Sequence, residues 1–206
     1  MKVKDILAVS NWDSNDVTII DYASGKIIKK LADLKQPRGL WFSSDGKSLY
    51  VTTYLGGQVF RYNTETWKQE AEFSVMYSAM RHIRASDDEM SIYVSDMRWS
   101  KVYELASDTL KLIRTYEVST YPNTIETGKD GKYLFVSTRG KNNPVSYLRR
   151  SLEPGEVNII DLEKHEIVSA FTAGTQPTGL DVASDNSFFA VSNFQDHTIE
   201  IFAIEN

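Results

Sequence analysis

The chain has 206 residues, 41% of them hydrophobic, and a formal net charge of −5, a composition that fits a globular protein with a sizeable core. It contains no cysteine, so a disulfide framework and a thiolate metal site are both excluded, and the acidic balance disfavours nucleic acid as a partner. No apolar run approaches the roughly 20 residues of a membrane span. The stretch Ile6 to Val9 is too short for the core of an export signal.

The chain begins with a three-run unit and continues with a four-run unit. Residues 6–36 contain the β-type runs ILAVSN, VTIID and KIIKKL. Residues 37–77 contain four runs, which are separated by Asp45-Gly46, Gly56-Gly57 and the polar stretch 63–66. Since these are turn residues, the second unit predicts a complete four-stranded antiparallel blade.

Three further units vary this pattern. Residues 78–121 replace Asp-Gly by Asp88-Glu89, which a type I turn tolerates, so we expect no positive φ there. Residues 122–176 carry an insertion, residues 139–155, which is polar and predicts a long loop of a kind that is often functional. The fifth unit, residues 177–206, has three runs and lacks a fourth.

One valine in the second run of each unit marks the period of the repeat. Successive anchors lie 42, 43, 42 and 55 residues apart, and the last spacing contains the insertion. An aspartate lies six residues before the anchor in four of the units. This phase predicts an all-β fold, a β-propeller of four-stranded antiparallel blades with about five repeats, the first and last incomplete. The anchors are Val9, Val51, Val94, Val136 and Val191. We expect Val51, Val94 and Val136 to be fully buried, because neighbouring blades cover both faces of their own.

The strand number raises the question of closure. Eighteen predicted strands are not a multiple of four, and propellers remove exposed edges by closing the ring. We therefore expect residues 1–206 to form a single, partial propeller that corresponds to the C-terminal four to five blades of a seven-bladed protein. The alternative is a small closed ring that omits strands at its seam. Open edges predict self-association of the partial form.

The phrase PxGLxxSxDGxxxYVTT at 37–53 resembles the YVTN-repeat β-propeller family, which includes surface-layer-like, cytochrome d1-like and lactonase-like seven-bladed propellers. AVSN at 8–11 and 190–193 and YVSD at 93–96 vary the same phrase. The likeness covers essentially the whole chain and is specific for the fold, but it says little about activity. The resemblance implies a bacterial or archaeal source and a periplasmic or extracellular location, although the chain shows no export signal.

The alternation of strand directions sorts the loops onto two faces. Loops from second to third strands share a face with the connections between blades, and this insertion face carries residues 139–155. The Asp-Gly turns lie on the opposite turn face. Arginine offers planar donors for carboxylate or phosphate, and tyrosine and asparagine suit sugars or peptides. The candidate ligand-binding residues on the insertion face are Arg38, Arg81, His82, Arg98, Trp99, Arg139, Asn142, Asn143, Tyr147, Arg149 and Arg150.

A purely structural interpretation of these residues also remains open. The insertion is then a solvated loop whose charges keep the protein soluble. In the same interpretation Trp12, Tyr54 and Trp99 are packing residues of the rim.

Signals for catalysis are weak. His82, His165 and His197 have neither the spacing of a helical metal pair nor an accompanying carboxylate cluster, and the chain has no Gly-x-Ser-x-Gly elbow. We therefore predict no catalytic residue, no metal and no cofactor.

The sequence thus predicts a non-catalytic propeller that binds a small anionic or carbohydrate-like ligand, or a protein partner, on the insertion face. One alternative is an enzyme of the lactonase or lyase type, or a haem d1-related protein, with Arg81 and His82 as the acid–base or ligand pair. A surface-layer or adhesion module is a further alternative.

Overall fold

The computed structural model describes residues 5–128 and 130–204. In these residues eighteen strands form five antiparallel sheets in which each strand pairs with its neighbours in sequence. The first and last sheets have three strands and the others have four, which confirms the predicted β-propeller with incomplete end blades. The strands are β1 Ile6–Asn11, β2 Asp16–Asp21, β3 Ile27–Leu31, β4 Pro37–Phe42, β5 Ser48–Thr53, β6 Gln58–Asn63, β7 Gln69–Ser74, β8 Met80–Ala85, β9 Ser91–Asp96, β10 Lys101–Ala106, β11 Leu112–Glu117, β12 Pro122–Thr127, β13 Tyr133–Thr138, β14 Glu156–Asp161, β15 Glu166–Thr172, β16 Pro177–Val182, β17 Phe188–Asn193 and β18 Thr198–Ala203.

The hydrophobic core lies between the blades. Four clusters of buried side chains occupy the four interfaces between successive blades, and each cluster combines residues of two neighbours. The second-strand anchors Val51, Val94 and Val136 have no exposed surface, as the repeat phase predicts. Each blade is therefore stabilised mainly by the blades beside it.

Truncation of one anchor tests this account. Val94→Ala removes two methyl groups from a site with no exposed surface and should lower the free energy of unfolding by about 2 kcal/mol or more, because burial is lost and a cavity is left. Urea titration measures the change. Val145→Ala, at a side chain that is 68% exposed, is the control and should change stability by less than about 0.5 kcal/mol. Equal effects of the two variants would contradict the blade register.

Hydroxyl groups next to the anchors join neighbouring blades at the propeller axis. Thr52 Oγ1 accepts the Gly39 N–H of its own blade at 2.8 Å and donates to the carbonyl of Arg81 in the next blade at 3.3 Å. Ser95 Oγ likewise accepts the His82 N–H at 3.0 Å and donates to the Asn123 carbonyl of the next blade at 2.8 Å. Each innermost strand has a bulge at these positions, which redirects its side chains. The bulges thereby bring the residues after Pro37, Met80 and Pro122 to the axis.

The hydroxyl bridge can be removed without changing side-chain shape. Thr52→Val should lower the free energy of unfolding by about 1–3 kcal/mol, because it leaves the Gly39 N–H and the Arg81 carbonyl without their partner. Thr52→Ser keeps the hydroxyl, as Ser95, Ser137 and Ser192 do in the later blades, and should cost clearly less. Chemical denaturation measures the free energy of unfolding of both variants. A serine variant as unstable as the valine variant would assign the effect to packing alone.

The turn at Asp88-Glu89 departs from expectation. Glu89 has φ of 54°, in the left-handed region that Gly46 and Gly131 occupy at the equivalent turns. The prediction that this turn avoids positive φ is therefore wrong. The Glu89 carboxylate accepts hydrogen bonds from Ser44 N–H and Oγ–H in the neighbouring blade. These contacts offset the cost of a backbone conformation that favours glycine.

The outer sides of the two end blades are uncovered. Leu7 and Val9 on β1 and Ile199 and Ile201 on β18 are all exposed. Apolar strand surfaces of this kind favour pairing with other chains. Self-association through these flanks stays a prediction.

Candidate functional site

The innermost strands surround a polar cavity of about 360 Å³ at the axis. The blade bulges place Arg38, Arg81, His82, Asn123 and Thr178 in its wall. The approach of the backbones is close: a Cβ atom on Gly39 would lie 2.8 Å from Thr52 Oγ1 and 3.0 Å from the Arg81 carbonyl. Two of the candidate arginines and the candidate histidine therefore line one cavity.

Neutral groups hold the arginines of this region. Arg81 donates from Nε to Asn123 Oδ1 and from Nη1 to Met97 Sδ at 3.5 Å. Arg139 donates from Nη2 to Gln176 Oε1. The guanidinium carbon of Arg38 lies 5.1 Å from the centre of the Trp12 ring. These partners orient the guanidinium groups and leave their charges uncompensated.

The charges of Arg38, Arg81 and Arg139 act on one another, and we call these three residues the arginine cluster. Burial, and then the positive charges of Arg38 and Arg139, lower the pKa of Arg81 to about 9. Burial also lowers the pKa of Arg139, while the nearby Tyr54 hydroxyl opposes the shift in both residues. Burial and the mutual repulsion of the arginines both penalise the charged form of these side chains, so a bound anion would relieve the penalty.

The other arginines show the contrast. Arg61, Arg84, Arg114 and Arg150 each form an ion pair with a carboxylate, such as Arg84 with Glu126 at 2.6 Å. Among the described residues, no carboxylate lies within ion-pair distance of an arginine of the cluster, nor of Arg98 or Arg149. Three of the paired arginines lie in blade strands and Arg150 ties the insertion to the fifth blade, whereas the other arginines of the insertion face have no carboxylate partner in the part of the chain that the structure describes.

His82 lies beside Arg81 and is largely buried. Its Nδ1 accepts the backbone N–H of Ile125 at 3.4 Å, which assigns the proton of the neutral ring to Nε2. Burial, and then the positive charge of Arg84, lower the pKa of His82 to about 4. At neutral pH the ring is therefore an uncharged hydrogen-bond donor, and its one acceptor nitrogen is occupied.

The protonation state of His82 can be followed by NMR. Its ring proton resonances should titrate with a midpoint near 4, and His82→Gln assigns them by their loss. An unfolded histidine titrates near about 6.5, so the unfolded chain takes up this proton first as pH falls. The contribution of His82 to stability should be complete above pH 6.5 and should decline between pH 6.5 and about 4, more steeply in the parent than in His82→Gln. A midpoint above 6 would contradict the burial argument.

The insertion is tied to the fifth blade. Arg150 Nε donates to Asp196 Oδ1 at 2.8 Å, and Thr175 N–H donates to the same carboxylate at 2.6 Å. These bonds, led by the Thr175 contacts, lower the pKa of Asp196 to about 2. Gln195 accepts the Ser151 N–H at 2.7 Å and donates to the carbonyls of Tyr147 and Arg149, each at 2.7 Å. The loop therefore has a defined conformation that depends on the neighbouring blade.

The predicted residues of the insertion have different roles in the structure. Arg139 joins the arginine cluster, and Asn142 Oδ1 accepts a hydrogen bond from Gln176 Nε2 at 2.7 Å. Asn143 shapes the loop by donating to the Arg150 carbonyl at 2.9 Å, while Arg150 pairs with Asp196. Tyr147 and Arg149 have exposed side chains. The three arginines of the insertion thus have different surroundings.

A second cavity, of about 310 Å³, lies between the third blade and the insertion. Tyr54, Arg98 and Asn142 are among its lining residues. Trp99 follows at the rim, is 47% exposed and donates from Nε1 to the Met76 carbonyl at 3.3 Å.

Sequence reasoning left three supporting residues out of the site. Asn123 occupies the same repeat position as Arg38 and Arg81, a signal that could have included it. Tyr54 was placed on the rim, but its position among arginines has no sequence signal. Gln176 is fully buried, and nothing in its local sequence indicates that it orients Arg139.

The described residues contain no group of three or more histidine, cysteine, aspartate or glutamate side chains that could hold a metal ion. In the same part of the chain, no helix is long and apolar enough to cross a membrane.

The model of one protein family, described as lactonase, 7-bladed beta-propeller, matches residues 29–206. The chain belongs to this lactonase-type propeller family. The predicted resemblance to lactonase-like seven-bladed propellers is thereby confirmed. The described residues form five sheets, and the family description names seven blades.

Two relatives of the chain are bacterial proteins. The chain is 36% identical over 208 residues to antigen Lp49 of Leptospira interrogans, a match that covers 97% of this chain and 45% of that protein. It is 26% identical over 147 residues to the uncharacterized protein YncE of Salmonella typhi, which covers 66% of this chain and 39% of the relative. The chain thus spans less than half the length of these relatives.

Solved structures share the fold. Hydrazine synthase of Kuenenia stuttgartiensis superposes with a TM-score of 0.81 at 21% identity, over 93% of this chain and 53% of that one. A putative 6-phosphogluconolactonase of Bacteroides uniformis superposes with a TM-score of 0.80 at 15% identity, over 100% of this chain and 66% of that one. At these identities the likeness concerns the fold alone.

Proposed function

We propose that this protein is a non-catalytic propeller that binds a small polyanion at the arginine cluster. The observation that carries the proposal is the orientation of Arg81 and Arg139 by the amides of Asn123 and Gln176, with no carboxylate partner among the described residues. Guanidinium groups recognise carboxylate and phosphate through paired hydrogen bonds. Because two of the three charges also suffer from burial and mutual repulsion, an anion with two or more charges fits this site best.

The neighbours of the cluster favour a ligand that also carries hydroxyl groups. Tyr54 and the Nε2–H of His82 provide uncharged polar groups beside the arginines, and Asn142 closes the side of the insertion. A sugar phosphate or a hydroxylated di- or tricarboxylate combines these chemistries. The bacterial relatives, one of which is named an antigen, support a bacterial source and a periplasmic or surface location for the whole protein.

Calorimetric titration with citrate, inorganic phosphate and glucose 6-phosphate tests the proposal. Arg81→Gln and Arg139→Gln should each weaken binding of the charged probe by roughly tenfold, since a charge-assisted pair contributes on the order of 1.5–3 kcal/mol. Affinity should also fall with added salt. Lys47→Gln, which removes one exposed charge on the turn face, is the matched control and should leave affinity unchanged. If neutral glucose binds as well as its phosphate, or if the two arginine variants bind like the parent, the anion site is disproved.

A lactone-hydrolysing enzyme is the second candidate, favoured by the family description and by the neutral His82 donor beside Arg81. These groups could stabilise the oxyanion that develops when water attacks a lactone carbonyl. The discriminating assay follows acid release from the lactone of a phosphorylated sugar acid. Saturable hydrolysis that is lost in His82→Gln but retained in Lys47→Gln would favour the enzyme over the binding protein.

A further inference from the structure

Exposed apolar side chains are concentrated on one face of the propeller. Among the described residues, nine large hydrophobic side chains are exposed in the loops of the insertion face, against two in the turns of the turn face, Tyr22 and Met90. Monomeric proteins rarely expose such groups together without a binding role. The nine are Leu55, Met76, Tyr77, Trp99, Val145, Tyr147, Leu148, Leu152 and Phe194.

Five of the exposed residues, Met76, Tyr77, Trp99, Leu148 and Phe194, lie in two groups. In the first, the Trp99 indole N–H donates to the Met76 carbonyl at 3.3 Å, so the two residues lie side by side next to Tyr77. In the second, Gln195 donates to the carbonyls on either side of Leu148, so its exposed neighbour Phe194 lies near the tip of the insertion. We call these the Trp99 group and the Leu148 group.

The cavity of about 310 Å³ lies between the loop that carries the Trp99 group and the start of the insertion that carries the Leu148 group. Arg98, the neighbour of Trp99, lines it on one side, and Asn142, at the start of the insertion, lines it on the other. The Arg98 side chain is exposed and has no ion-pair partner among the described residues. The cation of Arg98 therefore adjoins the Trp99 group on the same face that carries the Leu148 group.

Both groups are held in place before any partner binds. The Asp96 carboxylate accepts the backbone N–H of Arg98 at 3.0 Å and that of Trp99 at 3.3 Å, and Asp96 itself has no exposed surface. The Leu148 group is fixed by Gln195 and by the pair of Arg150 with Asp196. Preorganised contacts of this kind reduce the ordering cost of binding.

We infer that the insertion face docks an extended, acidic polypeptide segment of another protein. Apolar side chains of the segment pack on the Trp99 group and the Leu148 group, and a carboxylate between them pairs with Arg98. Tryptophan, tyrosine, methionine and arginine are the residues enriched at the energetic centres of protein interfaces. A flat lipid surface would contact both apolar groups but would not enter the cavity between them. The inference does not depend on the arginine cluster, which contributes none of these anchors.

A peptide selection tests the inference directly. The full chain is immobilised and challenged with a library of random twelve-residue peptides, and the affinity of selected peptides is measured by fluorescence anisotropy. The selected peptides should carry aspartate or glutamate between apolar residues. Trp99→Ala, Leu148→Ala and Arg98→Gln should each weaken them roughly fivefold or more, the effect of losing one interface anchor. Met90→Ala, an exposed apolar residue of the turn face, is the matched control and should have no effect.

Three outcomes overturn the inference. No acidic peptide is enriched, or the enriched peptides bind the Trp99 and Leu148 variants as they bind the parent. Alternatively, the chain sediments with phosphatidylglycerol vesicles, or forms dimers, in a manner that the same variants abolish, which would assign the surface to a membrane or to a second copy. Melting curves identify unfolded variants, which are excluded. If Leu148→Ala unfolds, Leu148→Ser takes its place. Arg81→Gln separates the two sites, because it should weaken citrate binding roughly tenfold without affecting peptide binding.

Discussion

The hydroxyl bridge at the axis is the constraint on which the site depends. Thr52 and Ser95 each join the innermost strand of their own blade to a carbonyl of the next one. The carbonyls they reach belong to Arg81 and Asn123, the residues whose side chains line the cavity. The same bond that holds two blades together therefore also sets the backbone from which the ligand-binding side chains extend. A bulged strand exposes an unpaired N–H, and the hydroxyl satisfies it at the point where the blades meet.

The arginines of this protein fall into two classes according to the type of partner that each one contacts. Arginines within and between the blades face carboxylates, and their charge is neutralised locally. Arginines of the cluster face amide oxygens, a thioether sulfur or an aromatic ring, which fix direction without neutralising charge. Asn123 and Gln176 are as important as the arginines they hold, because replacement of either by an acidic residue would convert a binding site into an internal ion pair. A protein that is acidic overall can in this way keep a positive site.

Much of the fold was predictable because each blade repeats the same local physics. A buried valine, a following hydroxyl residue and an aspartate turn recur in phase, so strand number and blade order follow from the sequence. The site was predictable only in part. Arg38 and Arg81 occupy a repeat position, and their convergence follows from the architecture. The pairing of Arg139 with Gln176 does not, because the insertion has no repeat phase and its partner lies 37 residues further along the same unit. At Glu89 the local turn rule failed. The unfavourable backbone conformation of Glu89 is offset by a contact with Ser44, in a turn that is distant in sequence.

The dependence of the insertion on Gln195 and Asp196 has an evolutionary consequence. Propellers grow and diversify by duplication of whole repeats, and a repeat that is copied or exchanged takes its own loops with it. The fourth repeat would take the insertion but would leave behind the two side chains of the fifth that hold it in shape. The functional unit of inheritance is therefore a pair of adjacent repeats, and a recombinant that separates the pair should keep the propeller while its binding face loses its form.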